Sequence, residues 1–176
     1  MVAKVTSARM IAPSGTAVDM PVGNGAVGMV DRDTFDEWLR ARAALAGAER
    51  RTGTFDRIDR DSDGTARVVW KDGRGGAEQS VRARCVIGAD GARSGVAKLE
   101  LKAERVKCVF AYHEIVKIPQ GFEEHGFDGK RCDVIYDGRT SPDFYAWIFP
   151  HGDKTSVGVG SAVKGFAMRD AVARLR

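Results

Sequence analysis

Two stretches of this sequence carry residue types whose spacing suits chemistry. Residues 85–98 read Cys-Val-Ile-Gly-Ala-Asp-Gly-Ala-Arg-Ser-Gly-Val-Ala-Lys. The short apolar run of Cys85, Val86 and Ile87 fits a buried parallel strand. It ends at Gly88-Ala89-Asp90-Gly91, where small residues let a backbone approach closely and glycine can take a positive φ. Arg93, Ser94 and Lys98 add a forked cation, a hydroxyl and a second cation, all groups that hold phosphate. A strand running into a glycine-rich turn and a short helix is where open α/β sheets bind ligands. A plain strand followed by an Asp-Gly turn accounts for the same residues without a ligand.

The second stretch is Tyr145-Ala146-Trp147-Ile148-Phe149-Pro150, followed after seven residues by Gly158-Val159-Gly160. Alternation along a strand puts Tyr145, Trp147 and Phe149 on one face. Three aromatics there make a flat apolar wall with two polar handles. Gly158 and Gly160, two apart on the facing strand, leave that face bare of side chains. Either a ligand takes up the space, or the glycines serve curvature in a packed core.

The elements that position these stretches follow from pattern. Residues 4–22 alternate around Pro13-Ser14-Gly15, a hairpin signal. Asn24-Gly25 is a further turn. Residues 26–30 are apolar and lead into the clearest helix. Asp31, Asp33 and Thr34 are cap residues, with Glu37 three after Thr34. Phe35, Trp38, Leu39, Ala43 and Ala46 then fall on one face, expected to be core, and Gly47 closes the helix. Arg32 stands at the helix entrance, where an anion is favoured; a solvated arginine reads equally well. Residues 48–84 read as a β-meander with turns at Asp63-Gly64 and Asp72-Gly73. Val106 to Ile118 is rich in β-formers. Further strands are expected over 132–136, over 144–149 where Pro150 stops the run, and over 155–163, and a helix begins near Phe166.

Composition narrows the function classes. The chain has 176 residues, 43% apolar and 30% charged, an ordinary globular balance. Net charge is +4 with scattered arginines and no basic block interleaved with aromatics, which argues against nucleic-acid binding and suits an anionic small ligand. Three cysteines (Cys85, Cys108, Cys132) without CxxC spacing point to a reducing compartment and to no zinc site. The N-terminus lacks a signal-peptide apolar region, and no run approaches the roughly 18 residues of a membrane span. Peripheral membrane contact stays compatible with the sequence. Asp59-Arg60-Asp61-Ser62-Asp63-Gly64 imitates the opening of an EF-hand loop, but its twelfth position is Trp70 rather than a bidentate Glu, so it reads as a charged hairpin tip. His113, His125 and His151 form no recognisable catalytic pair, and the catalytic residues stay unassigned. His151, beside the aromatic motif, is a candidate proton donor.

The residues 88–94 and Val96 resemble the Asp-Gly motif of flavoproteins with the p-hydroxybenzoate hydroxylase fold. The Tyr-x-Trp-x-Phe-Pro, seven residues, Gly-x-Gly pattern is similar to the substrate motif of geranylgeranyl reductases. Asp31-Arg32-x-x-Phe35-Asp36 and Tyr136-Asp137-Gly138-Arg139-x-Ser141-Pro142-Asp143 add to the likeness, which covers nearly the whole chain. It implies a mixed α+β and α/β fold: the central part of an FAD-binding Rossmann-like domain with an antiparallel β-sheet substrate domain. Residues 1–28 would be a hairpin of the substrate sheet. Residues 29–103 would be a partial FAD/NAD(P)-binding domain, with the helix at 31–47, the meander at 49–84 and the Asp-Gly motif at 85–98. Residues 104–163 would be the substrate sheet, and 164–176 the start of a helix.

The resemblance further implies that NADPH reduces FAD, and that the reduced flavin saturates isolated double bonds of a geranylgeranyl group to give phytyl. The substrate would be a diphosphate or a chlorin ester. Arg32, Gly88, Asp90, Gly91, Arg93 and Ser94 would serve the cofactor, near the pyrophosphate. Tyr145, Trp147, Phe149, Pro150, Gly158 and Gly160 would serve the substrate, with the two glycines giving the chain passage. The protein would be cytoplasmic or lie against a photosynthetic membrane. The family's Gly-x-Gly-x-x-Gly opening, its Cys-Gly-Gly segment and its Gly-Asp-Ala motif are not found in these residues, so the chain is expected to be the middle portion of a longer protein. An aromatic monooxygenase of the same fold is the alternative, as is an inactive fragment or isoprenoid-binding module.

Overall fold

The computed structural model describes residues 1–101 and 107–176, and the expected β-former Val106 lies outside them. The chain divides into two compact units, Met1–Leu39 with Val109–Arg176, and Arg40–Cys108. The division falls inside a helix rather than at residue 28 or 103, and the first unit takes in the C-terminal helix as well.

In the first unit, β1 (Ala3–Val5), β2 (Ser7–Ile11), β3 (Ala17–Pro21) and β4 (Val27–Met29) precede α1 (Arg32–Leu45). In the second, β5 (Thr54–Arg60), β6 (Ala66–Lys71) and β7 (Glu78–Ala83) precede α2 (Gly95–Glu100). The first unit resumes with β8 (Phe110–Lys117), β9 (Arg131–Ile135), β10 (Ala146–His151), β11 (Lys154–Ser161) and α3 (Met168–Leu175). A 3₁₀ turn, Phe122–His125, lies between β8 and β9.

The first unit is built on a six-stranded sheet in the order β3-β2-β9-β10-β11-β8, with a separate β1-β4 pair. All its neighbours are antiparallel except β2 and β9. The N-terminal hairpin thus adds to the strands that follow residue 109. The register sorts the side chains onto two faces. One face carries Ala146, Val157 and Val159, which form the core with Ala171 and Val172 of α3, flanked by Tyr112, Val116, Ile135 and Phe166. Met168, Ala171, Val172 and Leu175 recur at helical spacing, so one stripe of α3 covers this face. Each fully buried valine here contributes about 1.5–3 kcal/mol. Farther along the same face, Arg9 forks onto Asp19 at 2.6 and 2.7 Å, and Arg131 onto Asp133 at 2.6 and 3.2 Å. The opposite face carries Val18, Met20, Ala8, Met10, Cys132, Val134, Trp147, Phe149 and Ile115, by register.

Three local expectations are corrected. Pro150 does not stop the strand: it lies within β10, opposite Thr155. The Gly160 N–H donates to the Tyr145 carbonyl at 3.1 Å, so the hydrogen-bonded pairs alternate as 145/160, 147/158 and 149/156. The nitrogen of Pro150 therefore faces away from β11, on the side where β9 pairing has ended at Ile148, and no ladder bond is lost. Residues 85–87 are not a strand, and Ile87 is 85% exposed. A parallel strand needs neighbours on its edges, and among the described residues none pairs with it: the sheet of this unit is the meander β5-β6-β7 alone. The stripe of α1 is not core either. No residue of this helix is buried, and Phe35, Trp38 and Leu39 are exposed, with Phe35 and Trp38 stacked on each other at 5.9 Å.

The β5-β6 hairpin turns at Gly64, with φ +81°. There Asp61 pairs with Arg67 and Arg82, and Asp63 with Arg82 at 2.8 Å, so the carboxylates of the EF-hand mimic are held by arginines.

Candidate functional site

The Asp-Gly segment folds back onto its own helix. Gly91 takes φ +80°, a turn that a side chain would strain. The turn brings the Asp90 carboxylate onto the start of α2, where it accepts from the amides of Gly95 at 2.7 Å and Val96 at 3.2 Å and from the Ser94 hydroxyl. Ser94 is the N-cap and its hydroxyl accepts from the Ala97 amide at 2.9 Å. The Ser94 hydroxyl, then the Val96 and Gly95 amides, hold the Asp90 carboxyl below the usual carboxylate range. A Cβ at Gly88 would press on Val96, and one at Gly95 on the Phe55 ring. Gly88 and Ser94 also line a cavity of about 310 Å³ within this unit, beside Ile58, Cys85 and Val96.

Asp90 and Ser94 are thus committed to capping α2. The anion at this helix end is the protein's own carboxylate. Arg93 is exposed and has no partner among the described residues, so its guanidinium could hold a phosphate. Arg32 instead forks onto Asp36 of its own helix, at 2.8 and 2.9 Å. The donor set suits one side of an anionic nucleotide cofactor: a tight turn at Gly91 with an unengaged guanidinium beside it.

The aromatic motif is gathered on the sheet face opposite α3. Phe144 stacks on Tyr145 at 4.2 Å, Tyr145 meets Trp147 edge-on at 6.1 Å, and Trp147 lies 6.0 Å from Phe149. Tyr136 meets Tyr145 edge-on at 6.0 Å. Opposite them, the bare backbone at Gly158 is covered by the Trp147 ring, and that at Gly160 by the Phe144 ring; a Cβ at either would collide with them. The glycines therefore seat the aromatic rings rather than hold an empty passage. The rings lie across β11 because nothing stands up from it there, and their outer faces form the surface of the wall. Pro150 is buried on the other face.

Residues to which sequence reasoning gave no site role complete this region. Ser141 is 3% exposed; its hydroxyl donates to the Gly160 carbonyl at 2.7 Å and accepts from the Phe144 amide at 3.0 Å. Asp143 accepts from the Ser161 hydroxyl at 2.6 Å and the Ala162 amide at 2.8 Å. The lead-in to the motif is thus latched to the end of β11, which fixes Phe144 over Gly160. Ser156 accepts from the Trp147 indole at 3.2 Å and lies 2.9 Å from His113 Nδ1. Parity along β11 was the signal available for Ser156, two residues before Gly158. His151 Nε2 lies 2.5 Å from Asp31, so this ring is engaged beside α1. The His125 side chain lies outside the described part of the structure.

The comparisons with known proteins name the class first. A profile of the FAD binding domain family matches residues 3–116, and the chain belongs to that family. Its fold is the mixed, largely antiparallel p-hydroxybenzoate hydroxylase-like one. It resembles a geranylgeranyl bacteriochlorophyll reductase-like protein of Thermoplasma acidophilum, with TM-score 0.78 and 24% identity over 99% of this chain and 45% of that one. A flavin-dependent halogenase shares the fold, with TM-score 0.69 and 20% identity over 99% of this chain and 31% of its own.

The particular relatives are reductases. The chain is 54% identical over 176 residues to a geranylgeranyl diphosphate reductase of Rhodobacter capsulatus, covering all of this chain and 44% of that protein. It is 35% identical to the chloroplastic geranylgeranyl diphosphate reductase of Oryza sativa subsp. japonica, over 90% of this chain and 36% of that one. It is 34% identical to a digeranylgeranylglycerophospholipid reductase of Methanosarcina acetivorans, over 90% of this chain and 39% of that one. The chain thus spans less than half the length of these relatives. Among the described residues no helix is long and apolar enough to cross a membrane.

Proposed function

We propose that this chain supplies the Asp-Gly segment and the substrate sheet of a flavin-dependent reductase, one that saturates isolated double bonds of a geranylgeranyl group to phytyl with NADPH as the electron source. The observation that carries this reading is the aromatic wall of Phe144, Tyr145, Trp147 and Phe149, laid across the bare backbone of Gly158 and Gly160. FAD, when bound, supplies the hydride. Arg93 and the turn at Gly91 would meet its phosphates.

An isolated alkene offers no polar handle, so recognition must come from apolar area and shape. The sheet extends that area. Register places Trp147, Val134, Met10 and Val18 in one row across the strands, and Cys132, Ala8 and Met20 in a second, with Phe149 two residues on from Trp147 on the same face. Three strand-to-strand steps span about 14 Å. A polyprenyl chain lying between these rows would have its double bonds held flat against the wall and away from water, which positions them for reduction. The rest of the substrate would be a diphosphate or a chlorin ester. The likeness to chloroplastic relatives supports a place at the surface of a photosynthetic membrane, tested by whether the protein sediments with it.

The deciding experiment incubates the complete flavoprotein containing this chain with geranylgeranyl diphosphate and NADPH without oxygen, and analyses the product. Phytyl diphosphate is expected. A hydroxylated product that requires oxygen would replace the reductase reading with a monooxygenase of the same fold. In the same assay Trp147→Ala is expected to raise KM about tenfold or more, with FAD content unchanged, because a large aromatic face carries most of such contact energy.

A further inference from the structure

One polar cluster stands on the apolar face of the six-stranded sheet. Ser156 is 9% exposed and its hydroxyl oxygen serves two rings: the Trp147 indole donates to it at 3.2 Å, and His113 Nδ1 lies 2.9 Å away. Register sets Gly158 between Trp147 and His113, so the two rings flank a position without a side chain, with centroids 6.4 Å apart. A hydroxyl has one proton to give and two lone pairs to receive. The oxygen already receives the indole N–H. Among the described residues, the acceptor within reach of its own proton is His113 Nδ1. The neutral imidazole therefore carries its proton on Nε2.

His113 is exposed, and Nε2 has no partner among the described residues. The other titratable groups on this face are Tyr145 and His151 along β10, Cys132 on β9, and the Lys154–Lys117 pair at the far end of β11 and β8. No carboxylate stands on this face of β8, β10 or β11 beside His113.

We infer that His113 delivers the proton to the isoprenoid double bond through Nε2, with Ser156 holding its ring against Trp147. This rests on the reading of the sheet as the geranylgeranyl platform. Saturating a C=C bond adds a hydride to one carbon and a proton to the other. The hydride comes with the cofactor chemistry already stated. The π pair of the alkene takes the Nε2 proton to form the second C–H bond, and the imidazolium is left as neutral imidazole. Ser156 suits both charge states. While Nε2 gives up its proton the Ser156 oxygen receives Nδ1–H as well as the indole N–H, and it rotates to donate to Nδ1 only in the resting neutral ring, whose proton is on Nε2. Solvent at the exposed edge of the ring restores the proton.

Two measurements test this. In this chain, nitrogen NMR of the imidazoles is expected to show neutral His113 as the Nε2–H tautomer, with Ser156→Ala abolishing the preference; an Nδ1–H tautomer in the wild type overturns the geometry. In the complete flavoprotein, His113→Gln is expected to lower kcat for geranylgeranyl diphosphate reduction by about 100-fold or more. KM should stay within about twofold and FAD content should not change. The wild-type rate should fall with rising pH along the His113 titration read by NMR. An unchanged kcat, or a pH profile that ignores that titration, overturns the proton-delivery role while leaving the platform standing. If the wild type reduces no geranylgeranyl substrate, the platform reading fails and the role falls with it, whatever the tautomer.

Discussion

Gly158 does its work by having no side chain. The Trp147 ring lies where its Cβ would be, with the Cβ of His113 on the other side. Gly158→Ala should therefore lift the indole off the sheet, at a cost of about 1–3 kcal/mol for overpacking. Chemical denaturation measures the cost, and tryptophan emission shifted towards that of exposed indole reports the displacement. An emission spectrum and stability equal to the wild type would mean that the ring does not rest there. The pairing of aromatics with glycines was legible in the sequence, because alternation alone puts them on one face. What fills the bare backbone was not, since χ angles decide whether a ring stands up or lies across its neighbour. Ser156 escaped notice for the same reason: parity put it on the face of Gly158, but what its oxygen meets depends on the side chains around it.

Helix α2 is six residues long and has no buried residue, so its start depends on capping. Ser94→Ala should cost about 1 kcal/mol through the lost bond to the Ala97 amide. The neighbouring Asp90 carboxylate sets a pH dependence. Its pKa is lowered in the folded state, so the unfolded chain binds the proton more readily, and the carboxylate stabilises the fold above the ordinary aspartate pKa of about 3.9. That stability is lost as pH falls through the lower folded value. Amide exchange at Gly95 and Val96 should be slow and even from about pH 5 to 8, once corrected for intrinsic rates, and should quicken only in stronger acid. Loosening near pH 6 would show that another group holds this helix end. The sequence placed a turn and a helix here. It also suggested a strand over 85–87, because three apolar residues look alike in a strand and in a loop laid over a helix. Neighbouring chains decide between the two, and among the described residues no strand pairs with these. The apolar stripe of α1 carries a similar lesson: periodicity predicts a face that seeks cover, and the described chain leaves that face exposed.

At the scale of the whole molecule, the six-stranded sheet of the first unit has two unlike faces. One is sealed by α3 around Ala146, Val157 and Val159, while the other presents apolar residues from β3 to β8. If the open face is the substrate platform, a charge in its middle should be felt by the ligand. Met10→Lys should weaken binding of geranylgeranyl diphosphate about tenfold or more, read by quenching of tryptophan emission, because the apolar tail would have to cover an ammonium group. The same charge at Val81, exposed on β7 of the other unit, should leave binding unchanged. Equal effects at both positions would remove the platform from consideration.

By itself the sequence determined the chemical vocabulary: an Asp-Gly turn with an arginine beside it, an aromatic wall matched to two glycines, and a likeness specific enough to place the chain among flavoproteins. These are properties of short windows, where residue type and period two are enough. Only the tertiary structure decided how those residues are spent. It gave Asp90 and Ser94 to a helix cap and left Arg93 without a partner among the described residues, turned Arg32 onto Asp36, and closed the glycine gaps with Trp147 and Phe144. It also brought His113 to Ser156 from 43 residues away. Pairings of that reach depend on strand order and register, which are set by the packing of the whole sheet and leave no local trace in the chain.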